Sequence, residues 1–118
     1  MINIAIVEDE KLYVSQLKEY ISRYEKESGN RINVRVFPDG AEIVENYSGD
    51  FDMILMDIQM KYMDGMTAAE QIRKLDSEVI IMFITNMTQY AIRGYEVDAL
   101  DYVVKPVEFF PFSQKLDR

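Results

Sequence analysis

The sequence predicts a doubly wound α/β domain, a parallel five-stranded sheet with helices on both faces. Three observations carry this. Short apolar runs alternate with stretches of helical periodicity along the whole 118 residues. One of these runs, residues 31–37, alternates strictly between apolar and polar, as a strand with one wet side does. Five strand–helix units in so short a chain imply parallel strands joined by helical crossovers.

The first strand is "INIAIV" (2–7), followed by a helix from about Glu10 to Lys26. Val14, Leu17, Ile21 and Tyr24 recur in that helix at three- and four-residue spacing and form one face, and Ser28-Gly29-Asn30 breaks it. "RINVRVF" (31–37) puts Ile32, Val34 and Val36 on one face and Arg31, Asn33 and Arg35 on the other, which marks an edge. "PDG" (38–40) turns into a helix over 40–48. The third strand is "FDMILM" (51–56), and a helix, "MTAAEQIRKLD" (66–76), follows its loop. "VIIMFI" (79–84) is the most continuously apolar strand, hence central. A short helix over 88–95 precedes "ALDYVV" (99–104), Lys105-Pro106 closes that strand, and a last helix starts near Val107. A flavodoxin-like order, 2-1-3-4-5, places the alternating second strand at an edge.

Length allows one domain with a real core. The chain has no cysteine and no histidine, so chemistry must run on carboxylates, hydroxyls, lysine and hard cations. A net charge of −8 argues against gripping a phosphate backbone. "MINIAIVEDEK" has an apolar run too short for a signal sequence or a membrane span, and acids follow it, so a cytoplasmic protein is expected.

In a sheet of this kind, ligands bind beyond the carboxyl ends of the strands. Strand one ends in Glu8-Asp9, strand three in Asp57, strand four in Thr85-Asn86 and strand five in Lys105-Pro106. Any one acid could be only a helix cap. Together they gather carboxylates, a hydroxyl and an ammonium on one rim. Crowded carboxylates either bind protons or share a cation, and oxygen-only ligands favour magnesium over zinc. An ammonium there becomes useful when the incoming ligand is a phosphoryl group, for which Asp57 can act as nucleophile.

The chain resembles the receiver domain of bacterial two-component response regulators over essentially its whole length. "IVEDE" resembles the family's acidic pair, "ILMDIQM…MDG" its phosphoacceptor segment, "FIT" its hydroxyl position and "DYVVKP" its Lys-Pro element. The resemblance makes Asp57 the phosphorylated aspartate. It implies that Asp9 ligates Mg2+ directly and Glu8 mostly through water, with Asp57 and the Gln59 backbone carbonyl completing the protein ligands. Thr85 and Lys105 would bind the phosphoryl oxygens. Tyr102 would be the aromatic switch, and Pro106 would follow a cis peptide that aims Lys105 into the site. Such a domain is a phosphoacceptor, not an enzyme in its own right; it promotes only its own phosphoryl transfer and hydrolysis. Its partners would be a sensor histidine kinase and, through the face formed by the 88–95 helix, the fifth strand and the last helix, a second copy.

Two departures from the family pattern stand near the site. Lys61 occupies a place often held by proline, which loosens the loop or adds charge, and Asn86 is bulkier than the small residue common there. "YAIRGYEVDALDYVVKPVEFFPF" (90–112) further resembles the subgroup whose receivers precede a LytTR-type DNA-binding domain. The last residues, "QKLDR", show no Gly or Asn cap, which suggests a longer protein whose effector domain is absent here. DNA would be reached only through that domain. Among side features, Met53, Met56, Met60, Met63 and Met66 read as core and loop filling. The aromatics Tyr90, Tyr95, Tyr102, Phe109, Phe110 and Phe112 read mostly as core, with an excess left for a partner surface.

The alternative function is a receiver-like module that signals without phosphorylation, which the full residue set disfavours. An aspartyl phosphatase of the "D-x-D" type would need an acid where Gln59 stands. No phosphate-binding "GxxxxGK[ST]" or "GxGxxG" occurs.

Overall fold

Each apolar run forms a strand: β1 (Ile2–Val7), β2 (Ile32–Phe37), β3 (Met53–Met56), β4 (Ile80–Thr85) and β5 (Asp101–Val104). All pair in parallel, in the order β2-β1-β3-β4-β5. The computed structural model describes residues 1–86 and 101–117, with backbone only for Asp101 and Tyr102. The helix expected over 88–95, the tyrosines at 90 and 95 and the first part of the LytTR-like segment, 90–100, lie outside the described residues.

The described helices are α1 (Lys11–Ser28), α2 (Gly40–Glu45), α3 (Gly65–Leu75) and a C-terminal helix (Phe109–Leu116). Alternate residues of β1 serve opposite faces. Ala5 and Val7 pack with Ile43 of α2 and Ile72 of α3, whereas Ile4 and Ile6 pack with Leu17 and Ile21 of α1 and with Phe112. Both faces of the sheet are therefore covered, which is why β1, β3 and β4 are apolar without alternation. At the β2 edge Arg31, Asn33 and Arg35 stay exposed. Helix α1 stops at Gly29, whose φ of 78° lies in the left-handed region.

Some boundaries moved for local reasons. Helix α2 ends three residues early because both the backbone and side-chain nitrogens of Asn46 turn back onto the Glu42 carbonyl, at 3.2 and 2.8 Å. Strand β3 starts at Met53 because Phe51 packs edge-on against Phe37, while the Asp52 carboxylate accepts from the Asn3 N–H at 2.7 Å. The C-terminal helix starts at Phe109 because Val107 is held outside it, its carbonyl accepting from the Tyr20 hydroxyl at 2.9 Å. Pro111 then falls in the first turn, where a missing N–H is harmless. Of the aromatics in that helix Phe112 alone is fully buried; Phe109 lies under the Arg23 guanidinium, and Phe110 is 68% exposed. The methionines fill as expected. Met53, Met56 and Met66 are buried, and Met60 and Met63 pack on the core from the loop.

Tyr47 ties the end of α2 to the turn after α3. Its hydroxyl donates to Asp76 at 2.6 Å, and Asp76 also accepts from the Glu78 and Val79 N–H groups. The Tyr47 bond holds the Asp76 carboxyl below its usual value. A carboxylate depressed in the folded state contributes stability above its unfolded value and loses it as pH falls through the folded one. Tyr47→Phe is therefore expected to lower stability by about 1 kcal/mol at pH 7. The deficit should shrink at pH 3; urea unfolding at the two pH values checks it.

Candidate functional site

The sheet register sets the site. Val7 pairs with Met56 and Met56 with Phe83, and two residues further along β4 Thr85 pairs with Val104, so β1 and β3 end on one level and β4 and β5 just beyond it. The residues that follow still belong to the ladder. The Glu8 N–H donates to the Phe37 carbonyl, Asp57 N–H to Val7 and Lys105 N–H to Thr85, each at 3.0 Å. Their backbones are thus last rungs of a rigid sheet, and only their side chains project over its edge.

Glu8, Asp57 and Thr85 are buried, at 3, 6 and 0% exposure. The Lys105 ammonium donates to Glu8 Oε1 at 2.7 Å and to Asp57 Oδ2 at 3.3 Å. Asp57 Oδ1 accepts from its neighbour, the Ile58 N–H, at 2.8 Å. Two buried carboxylates therefore share one cation. The Glu8 carboxyl is raised to about 7, by burial above all and by the Asp57 charge, against the lowering pull of the Lys105 bond. For Lys105 burial acts downward, but the bonds and charges of Glu8 and Asp57 outweigh it and hold the ammonium above its usual value.

Outside this trio lies an open depression of about 830 Å³ lined by Asp9, Asp57, Gln59, Lys61, Asn86 and Lys105, among others. Asp9 and Gln59 are exposed on it. Carboxylate oxygens of Glu8, Asp9 and Glu10 lie within 4.8 Å of one another. This all-oxygen donor set, beside a buried Asp57, fits a hard divalent cation. The Lys105–Pro106 peptide is cis, and Pro106 is exposed. Tyr102 pairs with Phe83 through β5, and its side chain lies outside the described residues.

Two site residues escaped the sequence reading. Glu10 joins the acidic cluster, a signal visible in three consecutive acids. Tyr13 presents its ring face to the Lys105 ammonium, 3.8 Å from the centroid. That contact spans two ends of the chain and has no local signature.

Residues 4–116 match the response regulator receiver domain. The chain belongs to that family. The receiver is 31% identical over 106 residues to the transcriptional regulatory protein YpdB of Escherichia coli, covering 89% of this chain and 42% of YpdB. It is 30% identical over 113 residues to the sensory transduction protein LytT of Bacillus cereus, covering 92% and 43%. The chain spans less than half the length of these relatives. Among solved structures it resembles the response regulator TrrA of Thermotoga maritima in complex with Mg(2+)-BeF, with a TM-score of 0.82, 28% identity and coverage of 99% and 97%. Kinship with LytT proteins agrees with the subgroup that residues 90–112 resemble. Receiver domains act in phosphorylation-activated signalling and bind Mg2+ at an acidic pocket. Among the described residues no helix is long and apolar enough to cross a membrane.

Proposed function

We propose that this receiver is a switch in which Asp57 takes a phosphoryl group from the phosphohistidine of a sensor histidine kinase. The observation that carries the reading is the buried trio: Glu8 and Asp57 sharing the Lys105 ammonium at the end of the sheet. An Asp57 carboxylate oxygen attacks phosphorus as the P–N bond breaks, and the imidazole leaves and takes a proton from water. Asp9, Asp57 and the Gln59 carbonyl, with Glu8 mostly through water, would hold Mg2+, which would supply positive charge against the phosphoryl oxygens.

The aspartate exchanges one negative charge for about two and gains acceptor oxygens. Lys105 already lies 3.3 Å from Asp57, so it follows the new charge with little movement. The Thr85 hydroxyl, one strand away, binds another phosphoryl oxygen, and Tyr102 turns inward in its wake. That biases the face that carries β5 and the C-terminal helix toward pairing with a second copy. Output to transcription runs through a DNA-binding domain beyond this one, in the cytoplasm. The greater length of LytT and YpdB supports that arrangement.

The test is intact mass after incubation with acetyl phosphate, with and without Mg2+. A magnesium-dependent gain of one phosphoryl group is expected. No gain, together with no response to beryllofluoride, would replace this reading with that of a module signalling without phosphorylation.

A further inference from the structure

The loop that carries the phosphoryl site, residues 58–64, offers little apolar surface beyond Ile58 to hold it. Ile58 is buried in the core at its start, Gln59, Lys61, Tyr62 and Asp64 are exposed, and of the rest Met60 and Met63 pack partly buried against the core. Its two ends are joined where the Gly65 N–H meets the Ile58 carbonyl at 2.7 Å. Its far side is held from another part of the chain. Asp39, between β2 and α2, is 5% exposed and accepts from three backbone N–H groups. Oδ1 takes Ala41 and Met63, and Oδ2 takes Tyr62, all at 2.9 Å.

Only the Ala41 bond caps a helix. Serine or asparagine would cap as well without the cost of burying a charge. The carboxylate is what supplies enough acceptor capacity for the cap and both loop amides together. The corner is also pressed against the loop. A Cβ on Gly40 would stand 2.7 Å from the Met63 carbonyl oxygen and 2.9 Å from the Ala68 Cβ.

We propose that Asp39 is a positioning residue for the phosphoryl site: it clamps the loop after β3 and so fixes the Gln59 carbonyl that would ligate Mg2+. The proposal rests on the functional reading above for its metal, but not for the clamp.

The experiment compares the wild type with Asp39→Ser and Asp39→Asn by thermal unfolding, by amide hydrogen exchange in metal-free buffer and by titration with Mg2+. Serine keeps the helix cap but cannot reach both loop amides. Its melting temperature should stay near wild type, with Tyr62 and Met63 amides exchanging at least tenfold faster. Loss of such support behind a ligand weakens metal binding by 10- to 100-fold, and about tenfold is expected here. Asparagine keeps Oδ1 for Ala41 and Met63 but turns an NH2 toward Tyr62, so only the Tyr62 amide should lose protection, with an intermediate Mg2+ affinity. Unchanged exchange and affinity in both variants would overturn the proposal. So would an affinity loss that merely tracks the unfolded fraction. A wild type that binds no Mg2+ would count against the functional reading instead, and the exchange rates alone would then decide the clamp.

Discussion

Asp57→Asn is expected to take up no phosphoryl group from acetyl phosphate or a phosphorylated kinase, while its stability stays within about 1 kcal/mol of wild type. An amide oxygen carries no full charge and is a poor nucleophile, so the loss should be complete. The fold should tolerate the change because the substitution is nearly isosteric and the backbone rung is untouched, Asp57 N–H to Val7 at 3.0 Å. The asparagine carbonyl can still accept from Ile58 N–H. Its NH2 group would then face Lys105, which gives up the longer of its two carboxylate contacts and keeps Glu8 at 2.7 Å. One carboxylate opposite one ammonium is a balanced buried pair, whereas the wild type buries two against one. Removing the Asp57 charge also removes one of the influences that raise Glu8. Intact mass and urea unfolding check the two halves. Undiminished labelling would move the nucleophile to another acid, with Asp9 the first candidate.

The strands were legible because both faces of the sheet are covered. Burial on two sides demands runs such as Ile54, Leu55 and Met56, and burial on one side demands the alternation of 32–36. That alternation put the second strand at an edge, as a flavodoxin-like order requires, and from that order the rim followed. Glu8, Asp57, Thr85 and Lys105 could therefore be placed together before any contact was known. Contacts set by tertiary neighbours were not legible. Nothing near Asp39 announces that its carboxylate serves amides of Tyr62 and Met63, since "PDG" satisfies a turn equally well. The stacking of Tyr13 on Lys105 depends on where α1 begins relative to the end of β5. The delayed start of the C-terminal helix depends on the Tyr20 hydroxyl, far away in sequence. Helical periodicity reports which face is buried but not which backbone carbonyl a side chain will reach.

Gly65→Ala is expected to destabilise the domain by about 2–3 kcal/mol and to slow phosphoryl uptake as well. A Cβ at this position would stand 2.1 Å from the Asp57 carbonyl oxygen, 2.9 Å from the Ile58 Cα and 3.0 Å from the Asp57 carbonyl carbon. All three are backbone atoms, so no side-chain rotation relieves the clash. The close approach is also bonded, by Gly65 N–H to the Ile58 carbonyl at 2.7 Å, so moving α3 away gives up a buried hydrogen bond. Alanine's better helix propensity acts in the opposite direction, by at most about 1 kcal/mol. In the first turn, and against a backbone clash, it should not compensate. Relief requires either that α3 retreat from the sheet edge or that the peptide after Asp57 shift. The second moves the Asp57 side chain relative to Lys105 and Glu8, and a displacement near 1 Å can slow a reaction by about 10²-fold. Stability comes from urea unfolding, and the rate from the time course of mass gain under conditions where the variant is folded. A variant that unfolds like wild type and accepts the phosphoryl group at the same rate would show that α3 does not hold Asp57 in place. A stability loss with an unchanged rate would mean that α3 yields while Asp57 stays fixed as a rung of the sheet.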